Sequence, residues 1–126
     1  MPTAYNLTPE KLALYRTTAQ RRREQERSEL DHRREQAWAA ARQAALLLET
    51  KFKATRVVVF GSLARESGFT RWSDVDIAAW GIAPEDTFRA IGTVLDMDTE
   101  IAVNLVDVNT CRPPLLEVIE QDGVDV

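Results

Sequence analysis

A valine-rich run, a glycine–serine pair and two alternating aspartates constrain the fold of this chain more than any other segment. Arg56–Ser62 holds three valines and a phenylalanine in succession, which is typical of a strand buried on both faces. Asp74–Ala79 alternates acidic and apolar residues and predicts a second strand, which ends before Gly81. We expect the two strands to be neighbours in one sheet, since consecutive strands usually are. The glycine–serine pair would then lie beside the two aspartates.

A long helix is predicted upstream of these strands. Thr8 is a good capping residue and is followed by a proline and a glutamate, which favour the first helical turn. No glycine or proline then occurs as far as Phe52, and apolar residues recur at helical spacing, with a polar gap that could break the helix near residues 20–30. Arg21–Gln36 has almost nothing to bury, so it should be solvated or covered by a partner. Trp38–Phe52 is apolar enough to pack on the rest of the protein.

The remaining elements complete a small α/β domain. Pro84 opens a helix that should run to about Leu95, and Glu100–Val108 is typical of a third strand. A final helix begins at Pro113-Pro114 and should end at Gly123. The order helix, strand, strand, helix, strand, helix predicts a short mixed sheet flanked by helices. We expect residues 1–53 to form a helical extension and residues 54–126 to form the domain proper.

Composition excludes several classes of protein. The net charge of −4 combines a basic segment, residues 8–53, with an acidic one, residues 54–126, and an acidic body suits a site that binds cations. The single cysteine, Cys111, excludes an internal disulfide and a multi-cysteine zinc site. No apolar run approaches the ~20 residues that span a bilayer, so we expect a cytoplasmic protein.

The glycine–serine pair and the aspartates are the candidate site. Gly61 permits a tight turn after the first strand, Ser62 adds a hydroxyl and an amide, and Arg65 lies within reach of the same ligand. Asp74 and Asp76 share one face of the second strand, where their carboxylates would repel unless a cation lay between them. Magnesium prefers such ligands together with substrate phosphates. The alternatives are an ordinary turn and a solvated acidic pair.

These residues resemble a known superfamily. The pattern of a strand, Gly61-Ser62, eleven residues and Asp74-Val75-Asp76 is similar to that of the nucleotidyltransferases that include DNA polymerase beta, specifically their minimal, single-domain branch. The segments FGSLAR, SDVDIA and PPLLEVIEQDGV also resemble that branch, and the likeness covers Arg56–Val126. It implies a magnesium-dependent attack of a hydroxyl on the α-phosphate of ATP. Asp74 and Asp76 would bind two Mg²⁺ ions, while Gly61 and Ser62 would hold the β- and γ-phosphates.

One residue departs from the pattern of active members. They usually carry a third carboxylate on the next strand, and the corresponding residue here is Asn104, which has no charge and cannot accept a proton from the attacking hydroxyl. Asp107 should point to the opposite face, and Glu100 lies about 13 Å away at roughly 3.3 Å per residue along an extended strand. Neither replaces the missing acid.

The resemblance leaves two main hypotheses about function. In the first, the protein is an antitoxin that transfers AMP from ATP to a tyrosine of a HEPN-type toxin. In the second, it neutralises that partner by contact alone, because Asn104 makes the site degenerate. Modification of RNA ends or of a small molecule is a weaker third hypothesis, since no acceptor-binding domain is evident. The glutamates among the arginines of Arg21–Gln36 argue against nucleic-acid binding. Trp72, beside the aspartates, could flank a base, although simple packing is the expected role.

Overall fold

The computed structural model describes residues 7–65 and 67–126, so the first six residues of the predicted extension lie outside the described residues. The chain divides into two compact units, one that ends at His32 and one that begins at Arg33. This division falls inside the first helix, α1, which spans Pro9–Phe52. The separation into residues 1–53 and 54–126 stays a prediction about domains.

The first helix begins where its capping sequence predicts. The Thr8 side-chain oxygen accepts a hydrogen bond from the backbone N–H of Lys11 at 3.2 Å, and Pro9 is the first helical residue. The break expected near residues 20–30 is absent, because every residue of that stretch is α-helical. Side chains 7–29 are all exposed. This part of the sequence forms a helix without burying an apolar face.

The second part of α1 is built differently. Its buried side chains are mostly small and recur at helical spacing: Ala37, Ala40, Ala41, Ala44, Ala45, Leu48 and Phe52. Packing of Trp38–Phe52 on the body is therefore confirmed. The helix ends where Lys53 takes a left-handed backbone conformation with φ of 59°.

Four strands form one mixed sheet in the order β3-β2-β1-β4. The strands are β1 (Arg56–Phe60), β2 (Val75–Trp80), β3 (Val103–Asp107) and β4 (Val124–Asp125). β1 is antiparallel to both β2 and β4, whereas β2 and β3 are parallel. The small mixed α/β fold predicted from the sequence is confirmed, and β4 is an additional strand.

Two predicted strand boundaries are wrong by two or three residues, and the second strand and the end of the third differ by one residue at each boundary. The first strand ends at Phe60 instead of Ser62, because Gly61 has a positive φ of 75° and turns the chain into a short 3-10 segment, Gly61–Leu63. The third strand begins at Val103 instead of Glu100, since the preceding residues form bends.

Helices cover the sheet. α2 (Thr87–Leu95) follows a 3-10 turn at Pro84–Asp86 and lies against β3, and α3 (Pro113–Asp122) contacts β1. Ile119 of α3 packs with buried side chains of one sheet face, namely Val58, Phe60 and Ala78. Among the described residues, no helix is both long and apolar enough to cross a membrane.

Candidate nucleotide and metal site

The turn after β1 lies directly against an aspartate of β2. Phe60, the last residue of β1, is the antiparallel partner of Asp76. A Cβ atom placed on the next residue, Gly61, would lie only 2.9 Å from Asp76 Oδ2. Any side chain at position 61 would therefore meet the carboxylate, in addition to the strain of its positive φ. Glycine lets the backbone pass beside the acid.

The residues that follow Gly61 have unequal surroundings. Leu63 is buried and fixes the short 3-10 segment to the core, while Ser62 is half-buried. Arg65 is exposed, and no hydrogen bond or ion pair joins its side chain to another of the described residues. The structure thus places Gly61 and Ser62 beside the aspartate strand and leaves Arg65 as a basic group in solvent.

Asp76 is a half-buried carboxylate with a weak partner. Burial raises its pKa, and the negative charge of Asp74 raises it further, while a hydrogen bond from Asn104 lowers it. In that bond Asn104 Nδ2 donates to Asp76 Oδ1 over 3.4 Å, which is long for a strong interaction. A cation close to Asp76 would relieve both the burial penalty and the repulsion.

The parallel register brings Asn104 beside Asp76. The two residues are Cα partners on β3 and β2. Asp74 precedes β2, and its side chain is exposed. Among residues 7–65 and 67–126, no group of three His, Cys, Asp or Glu side chains could hold a metal ion.

This donor set is suited to a cation that is shared with a ligand. Two carboxylates, Asp74 and Asp76, are close enough to interact electrostatically, and magnesium commonly takes one or two protein carboxylates and completes its octahedron with phosphates and water. The Asn104 amide presents Nδ2 to Asp76, so its carbonyl oxygen would reach a cation only after rotation. The residues fit magnesium bound together with a triphosphate.

Asp107 is surrounded by protein groups and points to the face of the sheet opposite Asn104, as strand alternation predicts. It is 1% exposed. Its Oδ2 accepts a hydrogen bond from the Thr87 hydroxyl at 2.6 Å, and its Oδ1 accepts one from the Asn109 N–H at 3.0 Å. The carboxyl group joins the first residue of α2 to the end of β3. It is unavailable to the Asp76 face.

Sequence reasoning missed the contacts of two arginines. Both lie in Arg21–Gln36, which the sequence predicts to be solvated or covered by a partner, but Arg33 Nη2 donates to the Ser73 carbonyl at 2.9 Å, and Arg34 lies over the Phe69 ring at 5.5 Å. Both arginines are half-buried. Their partners are about 35 to 40 positions away, so no local pattern could identify them.

The expected packing of Trp72 is wrong. Its side chain is 78% exposed, and Arg71 lies over its ring at 4.8 Å. The Trp72 N–H donates to the Thr70 side-chain oxygen, which holds the backbone of this residue in a tight turn. The turn directs the indole away from the core, two residues before Asp74.

Comparison with known proteins establishes the fold. The sequence matches no family model and no curated protein. Two crystal structures of the toxin–antitoxin MntA-HpeT, one with a tyrosine-to-alanine change and one with two aspartate-to-glutamate changes, match the protein with a TM-score of 0.51. The first is 20% identical and the match covers 68% of each chain; the second is 19% identical and the match covers 68% of this chain and 70% of the other. The predicted nucleotidyltransferase-like fold is therefore confirmed.

Proposed function

We infer that this protein is a cytoplasmic, magnesium-dependent nucleotidyltransferase that acts as an antitoxin, transferring AMP from ATP to a tyrosine hydroxyl of a HEPN-type toxin. The observation that carries this proposal is the contact between Gly61 and Asp76. The glycine backbone runs beside a half-buried carboxylate with no room for a side chain between them, and a triphosphate and its cation could be held together there.

Each candidate residue has a definite part in this proposal. Asp74 and Asp76 would hold the two magnesium ions, which when bound supply charge stabilisation at the attacking and leaving oxygens. The backbone amides after β1, at Gly61 and Ser62, would donate to the β- and γ-phosphates. Arg65 is exposed nearby in sequence and would pair with the phosphates. The half-buried setting of Asp76 strengthens its attraction for a cation because little water screens it.

The structural neighbours support the choice of partner. They are complexes of MntA, a minimal nucleotidyltransferase antitoxin, with HpeT, its HEPN partner. In one of them two aspartates two positions apart were replaced by glutamate, and Asp74 and Asp76 have the same spacing here. A protein acceptor also suits a chain with few elements beyond those that build the site, since such an acceptor brings its own recognition surface.

A second function, neutralisation by contact alone, is favoured by Asn104. Its amide donates to Asp76 where active relatives are expected to have a carboxylate that accepts a proton. General-base help is typically worth 10²–10⁴-fold, so transfer without it would be slow. Under this alternative the nucleotide site would bind without turnover, and the toxin would be silenced by complex formation.

Intact mass spectrometry of the toxin separates the two functions. The protein is incubated with ATP, Mg²⁺ and the product of the neighbouring gene as the candidate toxin, and the mass of that product is then measured. A gain of one adenylate group that is lost in Asp76→Ala and kept in the control Asp122→Ala, an exposed acid on α3, would support transfer. A stable complex with unchanged toxin mass and lost toxin activity would overturn transfer and support contact.

A further inference from the structure

Two consecutive arginines of α1 contact the loop that leads to Asp74. Arg33 Nη2 donates to the Ser73 carbonyl at 2.9 Å, and the Arg34 guanidinium lies 5.5 Å from the centre of the Phe69 ring. Phe69 is itself buried, so it is a fixed partner. The loop is therefore held near its beginning and at its end, and the second contact is on the residue immediately before Asp74.

Hydrogen bonds link the residues of the loop between these contacts to one another. Ser73 N–H donates to the Thr70 carbonyl at 3.0 Å, and Thr70 N–H donates to the Ser73 hydroxyl at 3.0 Å. The Trp72 N–H donates to the Thr70 hydroxyl at 3.1 Å. Because these bonds close a compact turn, a hydrogen bond that restrains the Ser73 carbonyl also restrains the rest of the turn. It also fixes the peptide plane that Ser73 shares with Asp74.

The position of the Arg33 guanidinium is partly unfavourable because one of its donors is buried without a partner in the described part of the chain. Its Nε is buried and has no hydrogen-bond partner among the described residues. A buried, unsatisfied donor on a charged group is unfavourable and calls for an explanation. The bond to Ser73 is the polar contact that the structure records for this side chain, and it is a charge-assisted bond. The hydrogen bond to the Ser73 carbonyl is therefore the favourable polar contact that accompanies the partial burial of Arg33.

We propose that Arg33 is a positioning residue for Asp74. By holding the Ser73 carbonyl, it sets the orientation in which the next residue presents its carboxylate to the cation, while Asp76 is set independently by β2. The proposal rests on the proposed function in one respect, namely that Asp74 binds the metal ion of a metal–triphosphate complex. Removal of a residue that orients a metal ligand typically lowers metal affinity or activity by 10–100-fold.

The first test measures the loop itself. Arg33→Gln removes the charge and the fork of donors, and Arg42→Gln is the matched control, an exposed arginine of the same helix. Hydrogen–deuterium exchange of the segment 67–75 should be about tenfold faster in Arg33→Gln and unchanged in Arg42→Gln, with exchange of β1 equal in all three proteins. Exchange of the segment at the wild-type rate in Arg33→Gln would overturn the proposal.

The second test measures the ligand. The affinity for the Mn²⁺–ATP complex, measured by isothermal titration calorimetry, should fall about tenfold in Arg33→Gln, and Arg33→Lys, which keeps the charge and a donor, should lie between it and wild type. Equal affinities of wild type and both variants would overturn the positioning role alone. Failure of the wild-type protein to bind Mn²⁺–ATP would overturn the proposed function and the positioning role together, and the exchange experiment would still report whether Arg33 holds the loop.

Discussion

The two faces of the sheet each carry an aspartate, and the two acids have opposite surroundings. Asp107 is buried and accepts short hydrogen bonds from Thr87 and Asn109. Asp76, on the neighbouring strand and the other face, is half-buried, receives one long hydrogen bond from Asn104 and is repelled by Asp74. The two acids therefore differ both in burial and in the hydrogen bonds that they receive.

What separates the acids is whether the protein supplies their partners. The hydrogen bonds to Asp107 compensate for the water it loses on burial. Asp76 loses part of its water without equivalent compensation, and its raised pKa records that deficit. A nearby positive charge would relieve this deficit, which is why the proposed function assigns a cation to Asp76 and none to Asp107.

Asn104→Asp tests the surroundings of Asp76 and should have the largest effect. If transfer occurs, a carboxylate beside Asp76 can accept the proton of the attacking hydroxyl, and the rate of AMP transfer should rise by about 10²–10⁴-fold, or roughly 3–5 kcal/mol of barrier. The measurement is the initial rate of toxin modification at saturating ATP. The gain should vanish in the double variant with Asp76→Ala. An unchanged rate would contradict the assignment of residue 104 to the third acidic position.

Asp107→Ala tests the surroundings of Asp107. Removal of the carboxyl group leaves the Thr87 hydroxyl and the Asn109 N–H without their acceptor inside the protein, which should lower the free energy of unfolding by about 3 kcal/mol. Urea denaturation measures the loss. Asp107→Asn, which keeps the shape and an acceptor oxygen, should lose less. Full stability of Asp107→Ala with loss of nucleotide binding would reverse the roles given to the two faces.

Thr87→Val tests the same contact from its other side and should have a smaller effect. The valine keeps the shape of threonine but cannot donate to Asp107 Oδ2, so the free energy of unfolding should fall by about 2 kcal/mol. Thr93→Val is the matched control, since the Thr93 hydroxyl donates only to a carbonyl of its own helix. Equal losses in the two variants would show that the Thr87–Asp107 bond has no special importance.

Asp76→Asn should give the smallest change and the opposite sign. Because the pKa of Asp76 is raised in the folded protein, the folded state binds the proton more tightly than the unfolded state, and the ionised carboxylate is destabilising above that pKa. The asparagine removes this penalty, so the variant should melt at a higher temperature than wild type near neutral pH. The difference should shrink as the pH falls through the raised pKa. A difference independent of pH would contradict the electrostatic cause.

Local patterns in the sequence predicted most of the frame of the site. The valine run and the alternating aspartates identified β1 and β2, and Gly61 identified the turn between them, because strand periodicity and glycine conformations are properties of neighbouring residues. The placement of Asn104 beside Asp76 required only that the third strand be parallel and in register, as it is.

The contacts that hold the frame could not be predicted in this way. β4 contains two residues and exists because Val124 and Asp125 pair with β1, so the sequence has no run long enough to indicate it. Arg33 stands among exposed arginines and glutamates and differs from them only in its distant partner, Ser73. Long-range partners of this kind are set by the tertiary fold.

The register between β2 and β3 has a consequence for the evolution of such a site. Asparagine and aspartate codons differ by one base, and residue 104 already lies opposite Asp76 without any shift of the backbone. A single point mutation could therefore convert a two-acid site into a three-acid site, or the reverse. Under the proposed function, a lineage with this sheet could gain or abandon turnover in one step while the rest of the protein stayed the same.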